Sequence, residues 1–556
     1  MNQRNKRMVL AGVILAMLLS SLDQTIVSTA MPTIVHELHG LEHISWVFTA
    51  YMLGSTVTVP IYGKLSDMFG RRNLYILGIL LFMGGSILCG ISGSMNQLIL
   101  FRAIQGIGGG AMMVNSFAII GDVFPPAERG KYQGLIGGVF GLSSIGGPLL
   151  GGWITDHVSW RWVFYVNIPL GIIAILVLSA ALPKIARHDK DRNIDFAGAF
   201  LLITALVPLL LSLVWGGSLY PWASWQIALF IIISFVSILL FIRTEKKAQN
   251  PILSLNLFQN KVFLVSVFAM FLTAMGMFGA IIYIPLFSQG VIGGSATHAG
   301  LVLTPMMLAL VTSSAISGQI ISRTGKYKML AITGTAITVL ALFLFSTIDE
   351  TTRNPMLIFR MIVLGFGLGS TMPIFTLAVQ SAFGKERLGE VTAGTQLFRS
   401  IGGTVGTAIL GGIMNSRLSE KMHALSQEAF ITRWSHLYPE AGQHEGSMIQ
   451  SILNPQNQIQ IKESINQLPP GDRVTALSDF THFLGLSRIA FSASTANIFL
   501  VGAFLMAIAL VVVFFLPEIP LRKSDVPATQ SAGLVLEDEL GISNGTEKSG
   551  TVLKQH

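Results

Sequence analysis

The chain has 556 residues, of which 51% are hydrophobic and only 12% charged, about half the charged fraction of an ordinary soluble domain. Its apolar residues fall in runs of about 20, the length that crosses a bilayer core of ~30 Å; the alternating ~10-residue segments of a membrane β-barrel are absent. The net charge of +8 does not indicate nucleic acid, because the basic residues sit in short gaps between apolar runs, and the single cysteine, Cys89, excludes an intramolecular disulfide and a Cys-rich metal site.

The pattern predicts an all-α integral membrane protein with 14 transmembrane helices, at about 8–31, 44–62, 74–93, 98–121, 134–154, 162–182, 195–215, 223–242, 262–285, 299–320, 329–347, 355–379, 394–414 and 496–516. Arg4, Lys6 and Arg7 before the first run imitate a secretory signal. No small-residue cleavage site follows, so this segment reads as a retained first helix. An even number of spans puts both termini on one side. The connections on that side carry Lys64, Arg71, Arg72, Arg129, Lys131, Lys184, Arg187, Lys190, Arg192, Arg243, Lys246, Lys247, Lys261, Arg323, Lys326, Lys328, Lys385 and Arg387; the short connections opposite carry only Arg161 and Arg353. By the positive-inside rule both termini are cytoplasmic in a multi-pass protein of the cell membrane. Residues 415–492 read as an extracellular loop with helix-like stretches at Gln458–Gln467 and Arg473–Leu486, serving either as a cover for the outer mouth or as a surface insertion. The polar segment 518–556 reads as a disordered cytoplasmic tail, where Asn544 has no meaning as a glycosylation acceptor.

The sequence repeats. Phe101-Arg102 recurs as Phe359-Arg360, Glu128-Arg129 as Glu386-Arg387, and Ile145-Gly146-Gly147 as Ile401-Gly402-Gly403, at offsets of 256 to 258 residues. Two pseudo-symmetric six-helix bundles are expected: residues 1–182, and residues 261–414 completed by the last span at 493–517. Residues 183–260 hold two inserted helices. Bundles repeated in parallel, with the substrate site at mid-membrane between them, are the architecture of carriers that rock one half against the other.

Asp23 lies about 15 residues into the first span, ~22 Å from its start at 1.5 Å per residue. An acid at that depth is costly and marks a functional site. Desolvation favours its neutral form, so a proton and a cationic substrate can compete for it. Arg102, near the outer end of span four, lies at similar depth and is its natural counter-charge. Arg360 repeats Arg102 less securely, and Arg399 in span thirteen has no evident partner. Between spans two and three, Gly63 and Gly70 permit a tight turn, and Asp67 is placed to pair with Arg71 and Arg72; the repeat has Ser322 where Asp67 stands. Glu128-Arg129 supports this gate, while Asp122 and Asp195 read as interfacial. Span five is dense in glycine around Pro148, which frees a carbonyl and permits a bend.

Four stretches resemble the major facilitator superfamily, in particular its fourteen-span drug:proton antiporter branch: Leu22-Asp23-Gln24-Thr25 through Pro32, the Gly63–Arg72 loop, Arg102-Ala103-Ile104-Gln105-Gly106, and Gly147-Pro148-Leu149-Leu150-Gly151-Gly152, with Ser143 where the last motif often has glycine. The resemblance implies that Arg102 borders a central cavity and takes part in proton transfer. It implies that the Gly63–Arg72 loop is a latch closed when the carrier faces outward, and that Gly147, Pro148, Gly151 and Gly152 form the antiporter motif. It also implies a cavity lined by spans 1, 4, 9 and 12, with Gln24, Thr25, Gln105, Asn115, Met275, Phe278, Tyr283 and Phe375 as candidate lining residues. The function expected is proton-coupled export of amphipathic or cationic small molecules. No enzyme activity is expected, and no metal or cofactor besides the proton gradient. The partners expected are lipid, protons and a small-molecule substrate, in a monomer. Span ten carries no acid, which argues for monovalent or neutral substrates over dications, and with Asp23 as the single clearly mid-membrane acid one proton per cycle is expected. A dedicated exporter of one metabolite, lipid or antibiotic, a proton-coupled uptake carrier and a non-transporting sensor remain alternatives. An ATP-driven pump is disfavoured by the lack of a phosphate-binding glycine loop.

Overall fold

The computed structural model describes residues 2–38, 43–183, 193–217, 219–293, 302–425, 427–434, 452–453, 455–519 and 521. Lys184, Arg187, Lys190, Arg192, Asn544 and nearly all of the 518–556 tail lie outside them.

Six helices form the first bundle: α1 (Gln3–Leu38), α2 (Ile44–Phe69), α3 (Arg71–Gly90), α4 (Met95–Val123), α5 (Pro126–His157) and α6 (Trp162–Ala181, with one non-helical turn at Val166). Helices α7 (Phe196–Trp215) and α8 (Trp225–Glu245) are an inserted hairpin. The second bundle holds α9 (Lys261–Phe287), α10 (Thr304–Thr324), α11 (Lys328–Phe345), α12 (Asn354–Ala382) and α13 (Leu388–Leu425); after the short α14 (Ala429–Trp434) and α15 (Pro455–Asn466), α16 (Pro470–Phe514) completes it. Thirteen of these helices are long and apolar enough to cross a membrane. The fourteenth, α2, spans 26 residues and is made more polar by Thr49, Ser55, Thr56, Thr58 and Lys64. The expected two six-helix bundles plus two inserted helices are therefore present.

Local chemistry sets the ends. Gly70 (φ 92°) breaks the chain between α2 and α3 in a conformation that disfavours other residues. Ser94, Asp195, Ser224 and Asn260 cap α4, α7, α8 and α9 by accepting from backbone N–H groups of the first turn. Gly325 (φ 68°) ends α10.

Residues 435–451 of the expected loop at 415–492 lie outside the described residues; its described part is largely helix. α13 continues for 38 residues and α16 for 45, about 57 and 68 Å, because neither sequence offers a breaker where its apolar run stops. Pro470 occupies the first turn of α16, where its missing N–H costs nothing. Phe430, Trp434, Ile461, Ile465, Phe480 and Phe483 are buried together with Phe287, Phe345 and Leu357 of the bundle. Trp434 Nε1 donates to Asp479 at 2.9 Å. This segment is thus a packed cap on the second bundle.

The two bundles meet only toward the face that carries the basic connections, here called the basic face. There α5 lies along α10, and α2 and α4 lie against α13. Val59, Val114 and Ala393 of α2, α4 and α13 form a buried cluster within the seam. Above it, Gly152 of α5, on the side that meets α10 lower down, faces open space, and Gln24 and Ser28 of α1 are exposed. A cleft therefore opens between the bundles toward the opposite face.

Candidate functional site

Asp23 is completely buried within the first bundle. Its Oδ2 accepts from Arg102 Nη1 at 2.5 Å, and its Oδ1 accepts from Gln105 Nε2 at 2.8 Å and Asn167 Nδ2 at 2.9 Å. Gln105 and Asn167 each spend their second N–H on Ser86 Oγ, at 3.1 and 2.8 Å, and Ser86 donates to the Phe164 carbonyl. Arg102 also reaches Gln105 Oε1 (2.8 Å) and the Val47 carbonyl (3.4 Å), and its guanidinium sits 4.5 Å from the centre of the Tyr51 ring. Four helices, α1, α3, α4 and α6, thus converge on one carboxylate. All three hydrogen bonds are donated to the carboxylate, and burial strengthens each one. A substrate cannot touch the carboxylate in this conformation, so direct competition between a cation and a proton is not what this geometry offers.

Arg360, the repeat mate of Arg102, makes no ion pair among the described residues; Asp349 acts on it only through space. The guanidinium donates to Thr347 Oγ1 at 3.1 Å, and its Nε and Nη1 lack partners. The two bundles are alike in backbone and unlike in charge.

At the basic face Asp67 spans the bundles. Its carboxylate accepts from the N–H groups of Gly389 (3.0 Å) and Glu390 (2.8 Å), the N-terminal turn of α13, where backbone donors and the helix dipole favour an anion. Arg71 pairs with Asp67 and, at 2.9 Å, with Asp122. Glu390 in turn accepts from Ser254 N at 2.7 Å and pairs with Arg387 at 3.0 Å. A second bridge runs from Arg129 Nη1 to the Gln380 carbonyl (3.1 Å) and from Gln133 Nε2 to Gln380 Oε1 (3.0 Å). Side chains on Gly63 and Gly318 would overlap Ala393 and the Gly130–Lys131 backbone. Arg72 is half-buried and Glu128 exposed, and neither side chain enters the latch; both correct the expectation. Ser322 bonds only to Gln319 of its own helix.

Helix α5 connects the two sites. Gly130, Gly134 and Gly141 of its lower half lie against α10 of the other bundle. Gly147 and Gly151 of its upper half lie against Thr25 and Thr29 of α1, and Thr25 Oγ1 donates to the Ser143 carbonyl at 2.9 Å. Pro148 sits inside the helix within the upper stretch, between Gly147 and Gly151, and Gly152 points away from both neighbouring helices. The helix that carries Asp23 therefore leans on the helix that forms the seam.

Of the expected cavity residues, Gln24 is exposed and Phe278 half-buried with its ring beside Gly403. The others are placed elsewhere. Thr25 is a packing residue between α1 and α5, and Gln105 belongs to the Asp23 cluster. Asn115, Met275, Tyr283 and Phe375 are 0–6% exposed, within the bundles. One residue along a helix turns the side chain by about 100°, and sequence alone does not fix that rotation. Asn167 and Ser86 were missed. Asn167 interrupts the apolar run of span six, the same signal that marked Asp23. Gln380 and Glu390 carried no such signal, because both stand near the ends of their helices.

Two six-helix halves with a closed seam, an open cleft and a buried ion pair define a membrane carrier. The Major Facilitator Superfamily profile matches residues 13–199 and 196–407, and the chain belongs to that superfamily. Multidrug transporter protein MdtP of Bacillus subtilis is 40% identical over 523 residues, covering 93% of this chain and 94% of that protein. Multidrug resistance protein 3 of the same organism is 39% identical over 421 residues, covering 76% and 82%. These relatives agree with the resemblance to the drug:proton antiporter branch. The crystal structure of the human organic anion transporter MFSD10 (TETRAN) has a TM-score of 0.56 at 16% identity, covering 90% of this chain and 99% of that one; at that identity the likeness concerns the fold alone.

Proposed function

We propose that the protein is a proton-coupled exporter of amphipathic small molecules, with a broad substrate range, working by alternating access in the cell membrane with both termini cytoplasmic. The observation that carries this reading is the sealed Asp23–Arg102 pair on helices mechanically joined to the seam through α5. With the basic face inward, this arrangement reads as an outward-open state whose cytoplasmic latch, Asp67 on the N-terminus of α13, is closed. A proton entering from outside neutralises Asp23 and frees Arg102, and the cluster that fixes α1 against α3, α4 and α6 loosens. The α1–α5 contact transmits this to the α5–α10 seam and the Asp67 latch opens. The cleft then faces the cytoplasm, where proton release and substrate loading prepare the return. A ligand or proton shifts such an equilibrium only by binding one state better, and the Asp23 cluster meets that condition because its charge is compensated in a single arrangement. The names of the Bacillus relatives support a multidrug range. The test is uphill dye export from proteoliposomes with an imposed proton gradient: wild type exports and an uncoupler stops it, while Asp23→Asn binds dye without exporting it. Uphill export by Asp23→Asn that still needs the gradient refutes the reading.

A further inference from the structure

One charge is left over at mid-membrane depth. Asp23 and Arg102 neutralise each other, and the other charged residues of the described spans lie toward helix ends, except Arg488, which stands ~39 Å from the basic-face end of α16 and so beyond the hydrocarbon core. Arg399 stands 11 residues into α13, about 16 Å along the helix. Its side chain makes no hydrogen bond or ion pair with any described residue. One turn below it, Gln396 is 1% exposed and neither amide atom has a partner.

The position faces the cleft. From Leu388 to Ala408 no residue of α13 is more than partly exposed, and its partly exposed apolar side chains Phe398, Ile401 and Val405 lie on a different side of the helix from Arg399. Ala393 faces α2 and α4, and Leu397 packs with Val57 and Leu206. Gly402 and Gly406 lie on Phe271 and Met275 of α9. Gln396, Arg399 and Gly403 share the remaining stripe, at spacings i, i+3 and i+7 of one helical face. Phe278 borders that stripe, and the buried Val59–Val114–Ala393 cluster lies just beneath it. The partial exposure of Arg399 therefore comes from the internal cleft, and the stripe forms part of its floor.

An arginine at this depth without a counter-charge is costly. A planar guanidinium suits a carboxylate, which it binds through two parallel N–H groups, and the Gln396 amide adds a further donor. A cation arriving at the same place meets like charge, which selects against it. We propose that Arg399 and Gln396 form a subsite for the carboxylate of an amphipathic acid, whose apolar body lies along Phe278. The inference rests on the export reading above and narrows its substrate class from amphipathic or cationic molecules to amphipathic acids.

The test uses the full-length protein in phosphatidylcholine nanodiscs, with dansylaminoundecanoic acid and its uncharged carboxamide as probes and dansyl fluorescence as the readout. Wild type is expected to bind the acid about ten-fold or more tightly than the amide, the low end for hydrogen bonds to a charged group. Arg399→Gln abolishes that preference by lowering acid affinity, and a melting temperature close to that of wild type reports that the variant is folded. Arg399→Lys keeps a reduced preference, and Gln396→Leu lowers acid affinity several-fold. Equal wild-type affinities, or a preference that survives Arg399→Gln, overturn the proposal. Uncoupler-sensitive export of the acid from proteoliposomes tests the export reading separately. Its loss while the acid preference stands removes that reading and leaves the subsite.

Discussion

Replacing Asp67 with Asn isolates the latch. In the closed state the carboxylate accepts two backbone N–H groups of α13 across the seam, at 3.0 and 2.8 Å, while Arg71 holds it from its own bundle. Hydrogen bonds to a charged acceptor contribute about 1.5–3 kcal/mol each. Water takes over both partners when the seam opens, so the lower end applies. The amide retains one acceptor and loses the charge that suits the N-terminus of α13. A net loss of roughly 2 kcal/mol shifts the equilibrium about 30-fold toward the state open at the basic face. Spin labels replacing Glu128 on α5 and Arg323 on α10, both exposed and flanking the Gly130–Gly318 contact, report that opening by electron–electron distance measurement. The single native cysteine, Cys89, is buried, so a Cys89→Ala background serves. Wild type is expected to give mainly the short distance and Asp67→Asn mainly the long one. Identical distributions with undiminished export refute the claim that these bonds hold the halves together.

Asp23→Asn leaves Arg102 buried without its counter-charge, and breaking a buried pair on one side costs about 3–5 kcal/mol; the melting temperature in detergent falls, and adding Arg102→Gln restores most of it without restoring export. Gly318→Leu puts a side chain where the Gly130–Lys131 backbone lies, so the seam cannot close, and the same spin-label pair gives the long distance with export reduced at least about ten-fold, since overpacking against backbone costs ~1–3 kcal/mol. Phe430→Ala removes a ring 2% exposed among Phe480 and Phe483 and destabilises the cap by about 3–5 kcal/mol; limited proteolysis near residue 430 is expected to accelerate while binding of a cleft ligand is retained.

What the sequence determined by itself follows from forces that act locally along the chain. Hydrocarbon selects apolar runs of fixed length, so helix count and approximate limits were legible, and so was the repeat, because both halves retain the same motifs. Asp23 and Arg102 were legible as a pair because an acid and a base at matching depth have few alternatives in lipid. Tertiary structure decided what depends on helix rotation and on partners distant in the chain. Gln105 left the cavity for the Asp23 cluster, Thr25 became a contact for Ser143, and Asn167 joined from α6, since a turn of about 100° per residue moves a side chain from cleft to core without changing its depth. The latch partner of Asp67 was equally hidden. It is the backbone of Gly389 and Glu390, more than 300 residues away, and backbone donors at a helix end have no side-chain signature. The continuation of α13 and α16 into the cap was decided by the buried contacts of Phe430, Phe480 and Phe483, which reward helix beyond the membrane where hydropathy alone gives no reason for it.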